Sequence, residues 1–207
     1  MDCSRFRPAP EVEGPPIVVL ASRMLWDKGV REFVQAASLL RAERPTPRFV
    51  LIGAPDFGNP NAIPIKQLES WSRDGVIEWW GQRDDMPAVL SQASVVVLPT
   101  TYGEGVPKIL LEAAASGRAI VATDVRGCRE IVRPGVNGTL VAPHRSVDLA
   151  EAIKVLLRSP DLRRSFGRAG REIALAEFTE ETVVSQTLDV YRQLLKTRWP
   201  GGAEDAK

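Results

Sequence analysis

Cysteine is nearly absent from this sequence: Cys3 and Cys128 are the only two, and they lie far apart. They form no CxxC pair, so neither a disulfide framework nor a zinc site is suggested, and two stray thiols suit a reducing cytosol. Histidine is scarcer still. The single one, His144, sits in the polar stretch Pro143-His144-Arg145-Ser146 and reads as a solvated loop residue. Long apolar runs are also missing. Nothing approaches the roughly 20 residues needed to span a bilayer, and Met1 to Pro16 is too polar and proline-rich for a signal peptide. The expectation is a cytoplasmic protein with no transmembrane segment. Excess charge is lacking as well: 27 Lys and Arg face 26 Asp and Glu, and no basic run stands out, so no nucleic-acid partner is indicated. No GxGxxG follows the first apolar run, which argues against a nicotinamide dehydrogenase. Repeats and low-complexity tracts are absent from the 207 residues, a length suited to one large domain.

What the sequence does contain is alternation. Residues 1–16, with Pro8, Pro10, Pro15 and Pro16, read as a linker or interdomain hinge. Ile17-Val18-Val19-Leu20-Ala21-Ser22 is then a continuous apolar run, the mark of a strand buried on both faces. Lys28 to Glu43 places Val30, Phe33, Val34, Ala37 and Leu40 on one helical face. Further strands are predicted at Phe49–Gly53, Val76–Trp80, Val95–Pro99, Ala119–Thr123 and Thr139–Val141. Helices are predicted between them: one opened by Pro64 and ended by Gly75, then Asp85–Gln92, Lys108–Ser116 and Cys128–Val132. Six short strands alternating with helices predict an α/β fold, a Rossmann-like doubly wound parallel sheet. The last third is helical, with Ser146 capping one helix, a second over Pro160–Glu177, and Thr179 capping a third. The domain is thus expected to span 17–198, and 199–207 to be a disordered tail.

Open parallel sheets bind ligands beyond the carboxyl ends of their strands, so the loops after strands carry the chemistry. After the first strand, Arg23 and Lys28 bring two cations to one crevice beside a helix start, which suits a diphosphate. Spacing alone leaves solvated surface charges an equal reading. After the fourth strand comes Thr100 to Lys108, containing Glu104 between two glycines. Pro107 favours a helix start there, offering the backbone amides of Lys108 and Ile109 to phosphate. Glu112 lies one turn further on, and helical side chains tilt towards the N-terminus, so its carboxylate can reach the ligand. A carboxylate accepts two hydrogen bonds at once, as a vicinal ribose diol requires. The neighbours of Glu112 are nearly all apolar, so the group needs a partner. The third loop, Gly81 to Asp85 with Arg83, either lines a base pocket or charges the first turn of a helix.

Together these residues resemble the family-four retaining glycosyltransferases of the GT-B fold. The resemblance rests on Glu104 and Glu112 seven residues apart, the Arg23/Lys28 pair upstream, and the turn and strand Gly135 to Val141 downstream. It covers the C-terminal domain of that fold. It implies that Arg23 and Lys28 hold the donor diphosphate and that Glu112 binds the ribose. The amides of Lys108 and Ile109 would meet phosphate or ribose, Arg83 would lie near the base, and Glu104 would be the catalytic carboxylate that engages the donor sugar. No cofactor and no metal are implied. The implied donor is a UDP-sugar, often an N-acetylhexosamine, and the implied pathway is lipopolysaccharide, O-antigen or other surface-glycan synthesis. The acceptor, lipid-linked or glycan, would be held by an N-terminal domain missing from this chain, through which the whole enzyme sits at the inner face of the plasma membrane. Two departures bear on the sugar: Ser22 stands where many members have glycine, and Glu104-Gly105-Val106-Pro107 where many read Glu-Gly-Phe-Gly. The alternatives are a nucleotide-binding module without transferase activity, or a GT-B epimerase or phosphorylase.

Overall fold

Runs of β-branched residues with no polar face make the centre of the molecule. In the computed structural model, which describes residues 1–103 and 105–198 with side chains through Leu195, six strands form one parallel sheet. They are β1 (Ile17–Ala21), β2 (Arg48–Ile52), β3 (Glu78–Trp79), β4 (Val95–Leu98), β5 (Ala119–Thr123) and β6 (Gly138–Val141). Every residue of β1, β4 and β5 is buried, as strands covered on both faces must be. The strand order is β3-β2-β1-β4-β5-β6, so the winding reverses between β1 and β4, where Val18 pairs with Val95. This is the doubly wound topology that the alternation predicts.

Among the described residues eight α-helices accompany the sheet: α1 (Val30–Leu39), α2 (Ile65–Arg73), α3 (Met86–Gln92), α4 (Lys108–Ala115), α5 (Arg126–Ile131), α6 (Ser146–Arg158), α7 (Pro160–Glu177) and α8 (Glu180–Arg198). Because side chains alternate along a strand, β1 feeds two separate cores. Val18 and Leu20 pack with Phe33 and Val34 of α1 and Ile153 and Leu156 of α6. Val19 packs on the other face with Leu110 and Ala114 of α4, Ile131 of α5 and Ile173 of α7.

Several boundaries differ from the sequence expectation, each for a local reason. The first helix is split: a 3-10 turn over Trp26–Lys28 is followed by Gly29 at φ 73°, and α1 then runs only to Leu39. Gly29 is pressed against the end of β4, where a Cβ would stand 1.9 Å from the Pro99 carbonyl oxygen. The third strand shrinks to Glu78–Trp79 because the amides of Val76 and Ile77 donate back to the Trp71 carbonyl of α2. Ser146 is the first residue of α6 and not its cap; Arg145 holds the cap position without a side-chain hydrogen bond. Thr179 does cap its helix, accepting from the Thr182 amide at 3.1 Å.

Residues 1–16 lie docked on the domain. Phe6 is buried, and Arg171 of α7 donates to the carbonyls of Cys3, Phe6 and Ala115. Arg163 pairs with Glu11 in bidentate fashion, and Arg118 donates to the Ala9 carbonyl. The tail 199–207, expected to be disordered, lies outside the described residues. No described helix is long and apolar enough to cross a membrane.

Candidate functional site

A crevice of ≈ 840 Å³ opens at the carboxyl ends of the strands, beside the switch in strand order. Ala21 at the end of β1, Ile52 at the end of β2 and Leu98 at the end of β4 form its floor. The backbone explains why the opening exists: neighbouring strands that leave the sheet towards opposite faces cannot cover the gap between them.

Each predicted loop supplies a wall. Arg23, Lys28, Arg83, Lys108, Ile109 and Glu112 all line this one crevice, although 89 residues of chain separate the first from the last (112 − 23). Glu104 lies outside the described residues. Lys108 and Ile109 open α4, whose own bonding begins with the Leu110 amide donating to the Pro107 carbonyl at 3.0 Å. Their amides therefore precede the helical ladder, at the positive end of the helix dipole. Pro107 takes the extended cap position, φ −66° and ψ 122°, and not the first helical turn.

Four cations line the crevice against two carboxylates, Asp56 and Glu112, so the pocket is locally basic in a chain of net charge +1. Carboxylates stand beside Arg23, Arg83 and Lys108. Arg23 Nη1 lies 2.8 Å from Asp56, Arg83 binds Asp85 through two bonds of 2.7 and 2.6 Å, and Lys108 lies 3.6 Å from Glu112. The Asp85 carboxyl is held below its ordinary range by that Arg83 bond. Glu112 is shifted the other way. Only 6% exposed, it has its pKa raised by burial, with Lys108 and, more distantly, Arg5 acting against the rise. The apolar setting read from the sequence thus leaves a carboxylate with one exposed lysine for a partner and its remaining acceptor capacity turned to the crevice.

Sequence reasoning missed Asp56. The loop after β2 shows itself in the sequence as a Pro-, Gly- and Asn-rich stretch, but nothing marked it as part of the site. The strand order supplies the signal: with β2 beside β1, the loop leaving β2 must border the same crevice. Gly53 brings it there at φ 133°, so close to the first loop that a Cβ would stand 1.8 Å from the Ser22 carbonyl oxygen. The N-terminal segment was missed as well. Met1, Asp2, Arg5 and Phe6 line a second lobe of ≈ 660 Å³ that shares Arg83, Met86, Lys108 and Glu112 with the main crevice.

Comparisons with known proteins bear on the family and the fold. The family model described as Glycosyl transferases group 1 matches residues 15–159. A Campylobacter jejuni protein, N,N'-diacetylbacillosaminyl-diphospho-undecaprenol alpha-1,3-N-acetylgalactosaminyltransferase, is 33% identical over 185 residues, covering 89% of this chain and 46% of that protein. The solved structure of sucrose-phosphate synthase from Thermosynechococcus elongatus matches with a TM-score of 0.82 at 27% identity, over 95% of this chain and 51% of that one. Anabaena Alr3699/HepE in complex with UDP matches with a TM-score of 0.82 at 23% identity, over 93% of this chain and 56% of that one, a likeness of fold. The chain spans about half the length of the curated relatives it matches.

Proposed function

The chain belongs to the group 1 glycosyl transferases, and from that premise we propose that it is the donor-binding domain of a retaining glycosyltransferase that uses a UDP-sugar. The observation that carries this reading is the convergence of Arg23, Lys28, Arg83, Lys108, Ile109 and Glu112 on one basic crevice. A nucleoside diphosphate needs two kinds of recognition at once. Its phosphates need cations and backbone donors, which Arg23, Lys28 and the start of α4 offer. Its ribose needs a paired acceptor, which the Glu112 carboxylate offers. Arg83 stands on the base side, and Glu104 is assigned to the sugar and to catalysis.

Retention at the anomeric carbon requires the leaving diphosphate to be stabilised while the acceptor attacks from the same face. Fixed cations and amides aimed at the diphosphate supply that stabilisation. The acceptor then comes from a second, N-terminal domain facing the crevice, with a lipid-linked or glycan acceptor held there. Two facts support a partner domain. The Campylobacter relative is about twice as long as this chain, and α8 exposes Val184, Leu188, Tyr191 and Leu195 along one stripe, each 45% or more accessible. The Campylobacter relative's name supports an N-acetylhexosamine donor and a polyprenol-linked acceptor, and with them a surface-glycan pathway at the inner face of the membrane.

Calorimetry with UDP and a panel of UDP-sugars tests the reading. The chain is expected to bind UDP with a heat signal that Arg23→Ala and Lys28→Ala both weaken, and to transfer no sugar by itself. Absence of UDP binding by the folded chain overturns the donor assignment; transfer to a lipid-linked acceptor by the chain alone overturns the need for a second domain.

A further inference from the structure

A second cavity, of ≈ 560 Å³, lies at the opposite end of the sheet. Its walls include Ser94, just before β4, and Ala119, the first residue of β5, whereas the donor crevice takes Leu98 from the carboxyl end of β4. Five arginines line it against two glutamates, Glu11 and Glu172. Most of these charges are accounted for. Arg163 is bidentate to Glu11 at 2.9 and 2.6 Å, Arg164 pairs with Asp161, and Arg171 donates to three backbone carbonyls. Arg168 is exposed at the rim.

Arg118 is the exception. It is 3% exposed and its Nε, itself buried, has no hydrogen-bond partner among the described residues, while its Nη2 donates to the carbonyls of Ala9 at 2.7 Å and Ser91 at 2.9 Å. Neither acceptor carries a full charge, and Glu11, spoken for by Arg163, acts on it only from a distance. Burial pulls the Arg118 pKa down for that reason. A buried cation is costly unless an anion meets it. Tying the N-terminal segment to the end of α3 needs only two neutral donors, which a glutamine amide supplies without the charge. The positive charge is left unexplained by the fold.

We infer that this cavity is a binding site for a small oxyanion, a phosphate or carboxylate group set against Arg118 with Arg168 at its mouth. The prolines Pro8 and Pro10 in its wall give the ligand's uncharged part an apolar surface. The site is separate from the donor crevice, but one short helix links them. Lys108 and Glu112 of α4 face the crevice, and the turn that follows α4, Gly117-Arg118, lines the cavity.

Nuclear magnetic resonance on the intact chain tests this, following the Arg118 Nε–H and Gly117 amide signals. Inorganic phosphate and acetate are the probes, with sodium chloride of matched ionic strength as control. Phosphate also suits the donor crevice, so the titration is run with saturating UDP and repeated in Arg23→Ala, which weakens phosphate binding in that crevice even if UDP does not bind. Saturable shifts of both signals, unchanged by UDP and by Arg23→Ala and abolished in Arg118→Met, are expected. The probe that saturates at the lower concentration identifies the group. Shifts no larger than with chloride, shifts lost in Arg23→Ala, or shifts retained in Arg118→Met would each overturn the assignment. Should Arg118→Met not fold, the wild-type titration alone decides, because the two signals report on the cavity directly.

Discussion

Replacing Glu112 by glutamine should push stability and binding in opposite directions. The side chain sits 9% exposed in an apolar helix, and its only ion pair among the described residues is with a lysine that is itself 83% exposed. A helical pair of that kind is worth about 0.2–0.5 kcal/mol, whereas burial raises the Glu112 pKa above its ordinary 4.5 despite the lysine. Desolvation therefore outweighs the pair. A carboxyl whose folded pKa is raised favours the fold in its protonated form. That contribution is full below about pH 4.5 and is lost as pH rises through the folded value. At neutral pH the ionised carboxylate is a liability to the free domain, and glutamine, nearly the same shape, removes it. Glu112→Gln should melt higher than wild type at pH 7, by about 2–4 °C for each kcal/mol gained in a chain of this size, and the difference should vanish below pH 4. In the proposed UDP complex the preference reverses, because the ribose diol would donate to both carboxylate oxygens. Losing charge-assisted bonds costs about 1.5–3 kcal/mol, so UDP affinity should fall roughly ten- to 150-fold. Wild-type affinity should also decline on acidification more steeply than that of the variant; the phosphates of UDP titrate alike in both, so the difference isolates Glu112. Scanning calorimetry and titration calorimetry across pH 4–8 read both halves. A variant that is less stable than wild type at pH 7, or that binds UDP unchanged, refutes the assignment of Glu112 as a buried carboxylate kept for a ligand.

Four further outcomes follow from the site and its surroundings. Asp56→Ala should tighten UDP by up to about fivefold, since it frees Arg23 from an exposed pair worth about 0–1 kcal/mol, whereas Arg23→Ala should weaken it by roughly two- to 150-fold in the same calorimetric measurement, the phosphate bond less the pair. Glu104→Ala should leave UDP affinity nearly unchanged while erasing any advantage of the correct UDP-sugar over UDP; equal weakening of both ligands would reassign that carboxylate to the nucleotide. Gly29→Ala should lower stability by about 2–5 kcal/mol in urea unfolding, because a left-handed φ and a backbone clash with Pro99 add together. Excess chelator should leave UDP affinity as it is with magnesium, the crevice cations and amides supplying the positive potential; a large loss on chelation would reveal a metal in the site.

The sheet was legible because its strands are unbroken apolar runs, Ile17–Ala21 and Val95–Leu98 above all, punctuated by glycine and proline. Such runs suit only strands buried on both faces, and that restriction carries the parallel topology with it. Boundaries were less legible where tertiary contacts decide them. Nothing in Val76 and Ile77 announces that their amides turn back to Trp71, and nothing in Lys28-Gly29 announces the Pro99 carbonyl that splits the first helix. The site showed the same division. Cations at strand ends and a glutamate in an apolar helix are unusual enough to be noticed singly. Asp56 is an ordinary loop aspartate until the strand order places it opposite Arg23. Phe6 looked like linker because the proline pattern around it is real; its burial goes with the bonds that Arg171, more than 150 residues downstream, donates to the Phe6 and Cys3 carbonyls.

The carboxylates of the crevice change how donor binding should be pictured. Arg23, Arg83 and Lys108 are not bare charges waiting in water, because Asp56, Asp85 and Glu112 already hold them in place. In the proposed complex a donor diphosphate would therefore exchange partners and not simply add charge to charge. For Arg23 the exchange is favourable, since an exposed ion pair contributes about 0–1 kcal/mol and a charge-assisted bond to phosphate about 1.5–3 kcal/mol. The gain is the difference, so each clamp residue contributes less to affinity than its charge suggests. The arrangement has a consequence for order: Asp56 of the loop after β2 holds Arg23, and on the proposed reading phosphate binding would release Asp56 and with it that loop. Donor affinity and the position of the 54–62 loop should consequently be coupled. In Asp56→Ala, amide exchange along that loop should already be fast without UDP, and UDP should no longer change it.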